Sequence, residues 1–475
     1  MRLSSNSVAL STVETVLRNV IGLASVALLA RLLVPADYGE VVPIYFLMTL
    51  ASGIGDMGIG AAIIRHHDLG REAESTAFWL NLGLSATVAA VALVGTHVIL
   101  DDGTGRMSLF ALAAMIGVVT AASGSVHQSM LMRDGFFGRV LALSSISSIA
   151  AAAVALLVAF RGGGSWALVA QVMTAGVVSG VGAWLVSPWR PLMAFRRDAL
   201  GRYLDFGLFL TLSGIVNAVY KHATSLLILR NLGDTRAGYY SGADRLQNTA
   251  ADFIVGVSSR LVFIELSYSK SVGDARKIFE FSMLAVSLMC ALVFVPLAIG
   301  AELVIRILLG GQWDAAVPVL RILCVAGFMW PLEMVCQSVI KARGSLRGYF
   351  ILELSKRICG FGVLLLATTR SLTTAAAAVS ALGVLFFLVN AVRATRLVDC
   401  DLKVLGPAVS MVFLFGSVAV VSTMSLRSFL DGGMFAGTLA LGVGTLVGVA
   451  AIVAVLRCRR DHPASAALLR VLYRW

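Results

Sequence analysis

Residues 31–65 read RLLVPADYGEVVPIYFLMTLASGIGDMGIGAAIIR, a turn that runs into a long apolar helix with an acid, Asp56, at its centre. A carboxylate at mid-bilayer costs roughly 2.5–3.5 kcal/mol even on insertion scales, so such a residue faces a wet cavity or a partner. The stretch therefore implies a bundle of membrane helices with a cavity inside it. Gly53, Gly55 and Gly58 spell GxGxxG. No strand precedes them, however, and Asp56 would repel a pyrophosphate, so no dinucleotide site is read here. Close helix packing through small residues accounts for these glycines.

The remainder of the chain fits the same class. Of 475 residues, 58% are hydrophobic and 13% charged, and the mean hydropathy is +0.89, well above a soluble domain. Fourteen apolar spans fall near 8–30, 41–64, 75–99, 108–131, 140–160, 166–187, 204–229, 239–263, 279–301, 318–340, 350–369, 373–397, 406–426 and 434–457. Each suffices to cross ~30 Å of hydrocarbon at about 1.5 Å per residue. The gap between the eleventh and twelfth is short enough to admit twelve or thirteen crossings instead. The six cysteines are scattered without a CxxC pair and read as small buried apolar residues.

A net charge of +12 raises the question of nucleic acid, and its distribution answers it. With the N-terminus placed inside, 23 of the 38 Lys and Arg residues fall in inner loops and termini and 8 in outer loops, the remaining 7 lying within spans. Basic residues thus mark the cytoplasmic face, both termini lie there, and no nucleic-acid partner is expected. No removable signal peptide is read at the start, where a polar-striped helix follows directly. The connector near 188–203, PWRPLMAFRRDALGRY, is basic and aromatic and suits the headgroup region between two halves.

Polar residues recur at helical spacing on particular spans. Ser7, Ser11, Glu14, Arg18, Gly22 and Ser25 share one face of the first, where Glu14 and Arg18 stand four apart and could neutralise each other. Ser213, Asn217, Lys221 and Thr224 repeat the pattern on the seventh, and Lys221 has no acid three or four residues away. On the eighth, Ser241, Arg245, Asn248, Asp252 and Ser259 lie within about 60° of one direction. Such a face does not look at lipid. Spans three to six, rich in Ala, Val, Leu and Gly, read as scaffold, with Gly176 and Gly180 as a packing motif. Glu333, Gln337 and Lys341 stand at steps of four on the tenth span, and Glu333 is deep. Glu353, Lys356 and Arg357 suggest local pairing with snorkelling toward the cytoplasmic end of the eleventh.

An internal repeat relates two halves. Arg31-x-Leu33-x5-Gly39 follows the first span and Arg230-x-Leu232-x5-Gly238 follows the seventh, 199 residues later with identical spacing. Two related six-helix lobes around a central cavity follow, with two further helices at the end. The expected domains are an N-lobe at 1–197, a C-lobe at 198–400 and a terminal helix pair with a basic tail at 401–475.

Several chemistries lack their residues. No GxxxxGK[ST] loop is present to burn ATP, and no HExxH, paired-cysteine or histidine cluster to hold a metal. His127 and His222 stand isolated within spans and read as packed core imidazoles. Paired acids on a surface loop, which glycan chemistry would need, do not stand out. The expectation is a transporter, with no catalytic residues, no cofactor and no metal.

The segments LARLLVPADYGEV, SGIGDMGIGAAIIR and RILLGGQWDAAVPVLRIL (306–323) resemble the polysaccharide-biosynthesis flippases of the multidrug, oligosaccharidyl-lipid and polysaccharide exporter superfamily. The resemblance covers the whole chain in length, span count and repeat. It implies a cavity lined by the first, second, seventh and eighth helices. It also implies alternating access and the turning over of a polyprenyl-pyrophosphate-linked oligosaccharide in the cytoplasmic membrane, among membrane lipids and beside a polysaccharide polymerase and other assembly proteins. On that basis Arg18, Lys221 and Arg245 are expected to meet the pyrophosphate, and Asn217 and Asn248 the sugar hydroxyls. Asp56, Asp252 or Glu333 would couple turnover to a cation. The family's passage is cationic, whereas the charges within these spans are nearly balanced. The rival readings are a cation-coupled drug or metabolite antiporter of the same superfamily, a membrane-embedded glycan polymerase or ligase, and a scaffold derived from a transporter.

Overall fold

A computed structural model of the chain describes residues 21–56, 59–65, 70–100, 104–268 and 271–401, with isolated positions 406, 443 and 445 beyond them. Among the described residues every regular element is helical. In chain order these are α1 (Ile21–Leu32), α2 (Pro35–Glu40), α3 (Val42–Asp56), α4 (Ile59–Arg65), α5 (Gly70–Gly95), α6 (Arg106–Arg133), α7 (Phe137–Phe160) and α8 (Trp166–Val186). There follow α9 (Arg197–Leu232), α10 (Asp234–Tyr268), α11 (Val272–Ile299), α12 (Ala301–Leu308), α13 (Val317–Arg343), α14 (Leu346–Ala367) and α15 (Leu372–Leu397).

Eight helices among the described residues are long and apolar enough to cross a membrane by themselves. The predicted spans outside that set differ for identifiable reasons. The eighth and eleventh form helices α10 and α14 but carry Asp244, Arg245 and Asp252, and Glu353, Lys356 and Arg357, which make them less apolar. The second is described as α3 and α4, and the first and the last two fall largely outside the described residues. The eleventh and twelfth spans are separate helices. The Ser371 hydroxyl begins α15 by accepting from the Thr374 backbone N–H at 3.1 Å, which satisfies one of the free donors of a helix start.

The chain forms two compact units, Met1–Gly238 with Phe350–Leu365, and Tyr239–Tyr349 with Leu366–Trp475. In the first, glycine decides which helices touch. A Cβ on Gly176 would lie 2.2 Å from the carbonyl oxygen of Gly117, and one on Gly180 2.1 Å from that of Thr120, so α8 lies backbone to backbone on α6. The packing role read for Gly176 and Gly180 is this contact. Beside it, the buried His127 ring sits among Phe78, Trp184 and Trp189, with centroids at 6.0, 4.4 and 5.0 Å. Glu74 accepts from Arg133 Nη1 at 2.5 Å and from Trp189 Nε1 at 2.9 Å, which closes this end of the unit.

The segments that carry the family resemblance build corners. Asp37 Oδ2 accepts from the Val34 backbone N–H at 3.0 Å and begins α2, while its other oxygen accepts from Ser165 Oγ at 3.1 Å. Ser165 Oγ also lies within hydrogen-bond reach of Glu40, so its single proton serves one of the two carboxylates at a time, and Glu40 pairs with Arg106 at 3.2 Å. In the second unit Arg306 clasps Asp314 through two bonds of 3.0 Å, and Trp313 is wholly buried against Gly242, where a Cβ would lie 2.6 Å from the indole. Cys290, Cys324 and Cys336 are buried as expected, Cys359 is exposed, and burial pushes the Cys400 thiol, beyond the end of α15, up to about 11.

Candidate functional site

The polar stripe of the seventh span lies on α9, in the first unit, where it meets α3 and α14. Thr49 on α3 and His222 on α9 are joined at 2.9 Å between Oγ1 and Nε2. The Thr49 hydroxyl gives its one proton to the Tyr45 carbonyl at 2.8 Å, so Nε2 of His222 is the donor. His222, read as an isolated core imidazole, is a cross-helix link.

Asn217 is half-buried on α9, and its Oδ1 accepts from Arg357 Nε of α14 at 2.7 Å. The Arg357 guanidinium also stacks on Tyr220, 4.9 Å from the ring centre. Behind it, Glu353 is 0% exposed and accepts from Lys356 Nζ at 2.6 Å and from Arg357 Nη2 at 3.5 Å. The local pairing expected on the eleventh span is therefore present, but the snorkelling is not. Lys356 is 6% exposed, and a buried acid holds it there. Lys221 lies one helical turn from Asn217 on the same stripe and is exposed. These described residues place two cations, Lys356 and Arg357, on one acid, Glu353, with Lys221 on the α9 stripe that carries Asn217.

In the second unit Arg245 and Asn248 are half-buried on α10 and Asp252 is exposed, at the helical spacing expected of them. Among the described residues Arg245 forms no ion pair. Glu333, 4% exposed on α13, accepts from Asn390 of α15 at 2.9 Å and from Gln337 at 3.3 Å, and Gln337 accepts from the Tyr349 hydroxyl at 2.8 Å. It is a buried carboxylate in a hydrogen-bonded network. Asp56 ends α3 with its side chain outside the described part, and Arg18 and Glu14 lie outside the described residues.

The first unit thus unites Asn217 with Arg357, a residue the sequence reading had set aside as a local partner. Its signal was there in an acid followed by two bases at i+3 and i+4 within an apolar span. A second surface was missed altogether. Ser52, Gln128, Ser144, Ser147, Ser148 and Ser179 line a cavity of about 320 Å³ among α3, α6, α7 and α8, on spans read chiefly as scaffold.

An all-helical membrane protein with polar helix faces buried against one another is the class that fold and site define. The profile of the family described as polysaccharide biosynthesis protein matches residues 28–318, and the chain belongs to that family. It is 26% identical over 326 residues to the succinoglycan biosynthesis transport protein ExoT of Rhizobium meliloti (strain 1021), covering 65% of this chain and 63% of that one. It is 24% identical to the teichuronic acid biosynthesis protein TuaB of Bacillus subtilis (strain 168), over 80% of each chain. Among solved structures, the lipid II flippase MurJ in an inward closed conformation superposes with a TM-score of 0.76 at 12% identity, over 94% of this chain and 99% of that chain. An inward-facing multidrug resistance transporter of the MATE family superposes at 0.63 and 14% identity, over 80% and 96%. The chain has their fold.

Proposed function

We propose that the protein turns a polyprenyl-pyrophosphate-linked oligosaccharide over from the inner to the outer leaflet of the cytoplasmic membrane, by alternating access and without catalysis, to supply surface polysaccharide. In this reading fourteen helices form two six-helix lobes and a terminal pair, with both chain ends in the cytoplasm. Membership of the polysaccharide biosynthesis family supports the substrate class. The observation that supports the mechanism is the α9–α14 seam, where Lys356 and Arg357 bond the buried Glu353, Arg357 also reaches Asn217, and Lys221 stands one turn from Asn217 on the same stripe.

A diphosphate needs such a surface. Its charge is repelled by hydrocarbon and satisfied by guanidinium and ammonium donors, whose charge-assisted bonds are about twice as strong as neutral ones. Lys221 and Arg357, with Arg18 and Arg245, meet the diphosphate, while Asn217 and Asn248 meet hydroxyls. Glu353 has a positioning role. It fixes Lys356 and Arg357 so that their charge stays in the seam. Asp56, Asp252 and Glu333 supply carboxylates for cation coupling, and of these Glu333 is held in place by donation from Asn390 and Gln337.

The test is surface glycan measured in cells expressing Lys221→Ala, Arg357→Ala or Arg18→Ala at wild-type abundance. Each lost charge-assisted bond costs about 1.5–3 kcal/mol, roughly ten- to a hundred-fold in affinity, and glycan export should fall accordingly. Export undiminished in all three variants rejects the binding role.

A further inference from the structure

The cavity among α3, α6, α7 and α8 lies beside the glycine contact described above. Gly117 and Gly176, which bring α6 and α8 into backbone contact, add no side chain to it. Serines from α3, α7 and α8 line that space instead. Ser144, Ser147, Ser148 and Ser179 each donate their single hydroxyl proton to a backbone carbonyl, of Leu141, Ala175, Ser144 and Gly176. What each presents to the cavity is oxygen lone pairs. Ser52 and the Gln128 amide make no side-chain hydrogen bond among the described residues, and no residue that lines the cavity is charged.

This surface discriminates between ligands. An anion would meet oxygen lone pairs without a cation to offset them, and a cation would find no carboxylate. An apolar group would leave Gln128 unsatisfied. A neutral ligand rich in O–H donors satisfies all of these groups. The volume, about 320 Å³, stands at the lower end of the ~300–1,000 Å³ typical of small-molecule sites and suits something of sugar-ring size. The site also adjoins the seam. On α3, Thr49 and Gly53 face α9, Thr49 bonding His222 and Gly53 standing where an added Cβ would lie 3.5 Å from Ile215, while Met48 and Ser52 on the next stripe line the cavity.

We propose that this cavity is a binding site for an uncharged glycosyl unit, separate from the cationic seam that meets the diphosphate. The inference rests on the transport reading above. It divides recognition in two, with charge selecting the carrier lipid and the serine cavity selecting the sugar.

The experiment places one cysteine, Ser148→Cys or Ser179→Cys, in the full-length chain with its native cysteines replaced, and follows alkylation by a small thiol reagent. Arg161→Cys, in the exposed turn between α7 and α8, is the reference. The probes are methyl glycosides of glucose, galactose and N-acetylglucosamine, and inorganic pyrophosphate. At a glycoside concentration about ten times its Kd, labelling at 148 and 179 should slow about ten-fold, because protection follows occupancy. Labelling at 161 should not change, and pyrophosphate should protect neither cavity position. Absence of protection by all three glycosides, equal protection by pyrophosphate, or equal slowing at 161 overturns the proposal. The transport reading fails separately. If the wild-type protein in vesicles leaves a polyprenyl-pyrophosphate-linked oligosaccharide in its original leaflet, both ideas fall, whereas intact transport without glycoside protection removes the cavity proposal alone.

Discussion

Glu353 has no exposed surface and holds two basic side chains, one of which reaches across to another helix. Removing one partner of a buried ionic group leaves an uncompensated charge, at a cost on the order of 3–5 kcal/mol. Glu353→Ala should therefore lower the thermal unfolding midpoint in detergent far more than Arg357→Ala, which leaves Glu353 with Lys356. The two midpoints, read side by side, check this, and equal losses would contradict it. Arg357→Lys is not a conservative change, since an ammonium cannot both donate through a fixed Nε–H to Asn217 and stack flat on Tyr220. It should reduce glycan export nearly as much as Arg357→Ala. At this scale the sequence disclosed the charged residues and their spacing. It did not disclose that Lys356 turns inward, because snorkelling and burial begin from the same i+3 and i+4 pattern.

Between elements, the internal repeat acquires a physical meaning. A shift of 199 residues maps Pro35 onto Asp234 and Gly39 onto Gly238. A Cβ on Gly39 would lie 2.0 Å from the Asp234 carbonyl oxygen, and one on Gly238 1.8 Å from that of Pro35. Each copy of the repeat thus presents its glycine to the equivalent backbone of the other, the self-complementary pairing of a two-fold contact. Because both approaches are to backbone, neither can be relieved by a rotamer change. Gly39→Ala and Gly238→Ala should each destabilise by about 1–3 kcal/mol, and by similar amounts, whereas Gly83→Ala, with open space around it, should be neutral. Denaturation followed by tryptophan fluorescence would check the ranking, and unequal costs at 39 and 238 would contradict the symmetry. The start of α15 offers a smaller test. Ser371→Ala removes its cap and should cost about 1 kcal/mol.

For the whole molecule, basic residues predict the orientation, 23 at inner positions against 8 at outer ones. Alkaline phosphatase fused after Gly103 or Gly162 should be active, and fused after His67 or Gly135 inactive. The reverse pattern would invert the topology and the direction of transport with it. Hydropathy and charge made the membrane class, the helical content and the polar stripes legible in the sequence, because helical periodicity and transfer free energy act within a single span. The sequence also held the repeat. What it could not specify was which faces meet. The pairing of Asn217 with Arg357, the link from Thr49 to His222, the approach of each repeat glycine to the other copy's backbone and the serine-lined cavity join residues far apart in the chain. Each depends on how closely two backbones approach, and only the packed helices fix that distance.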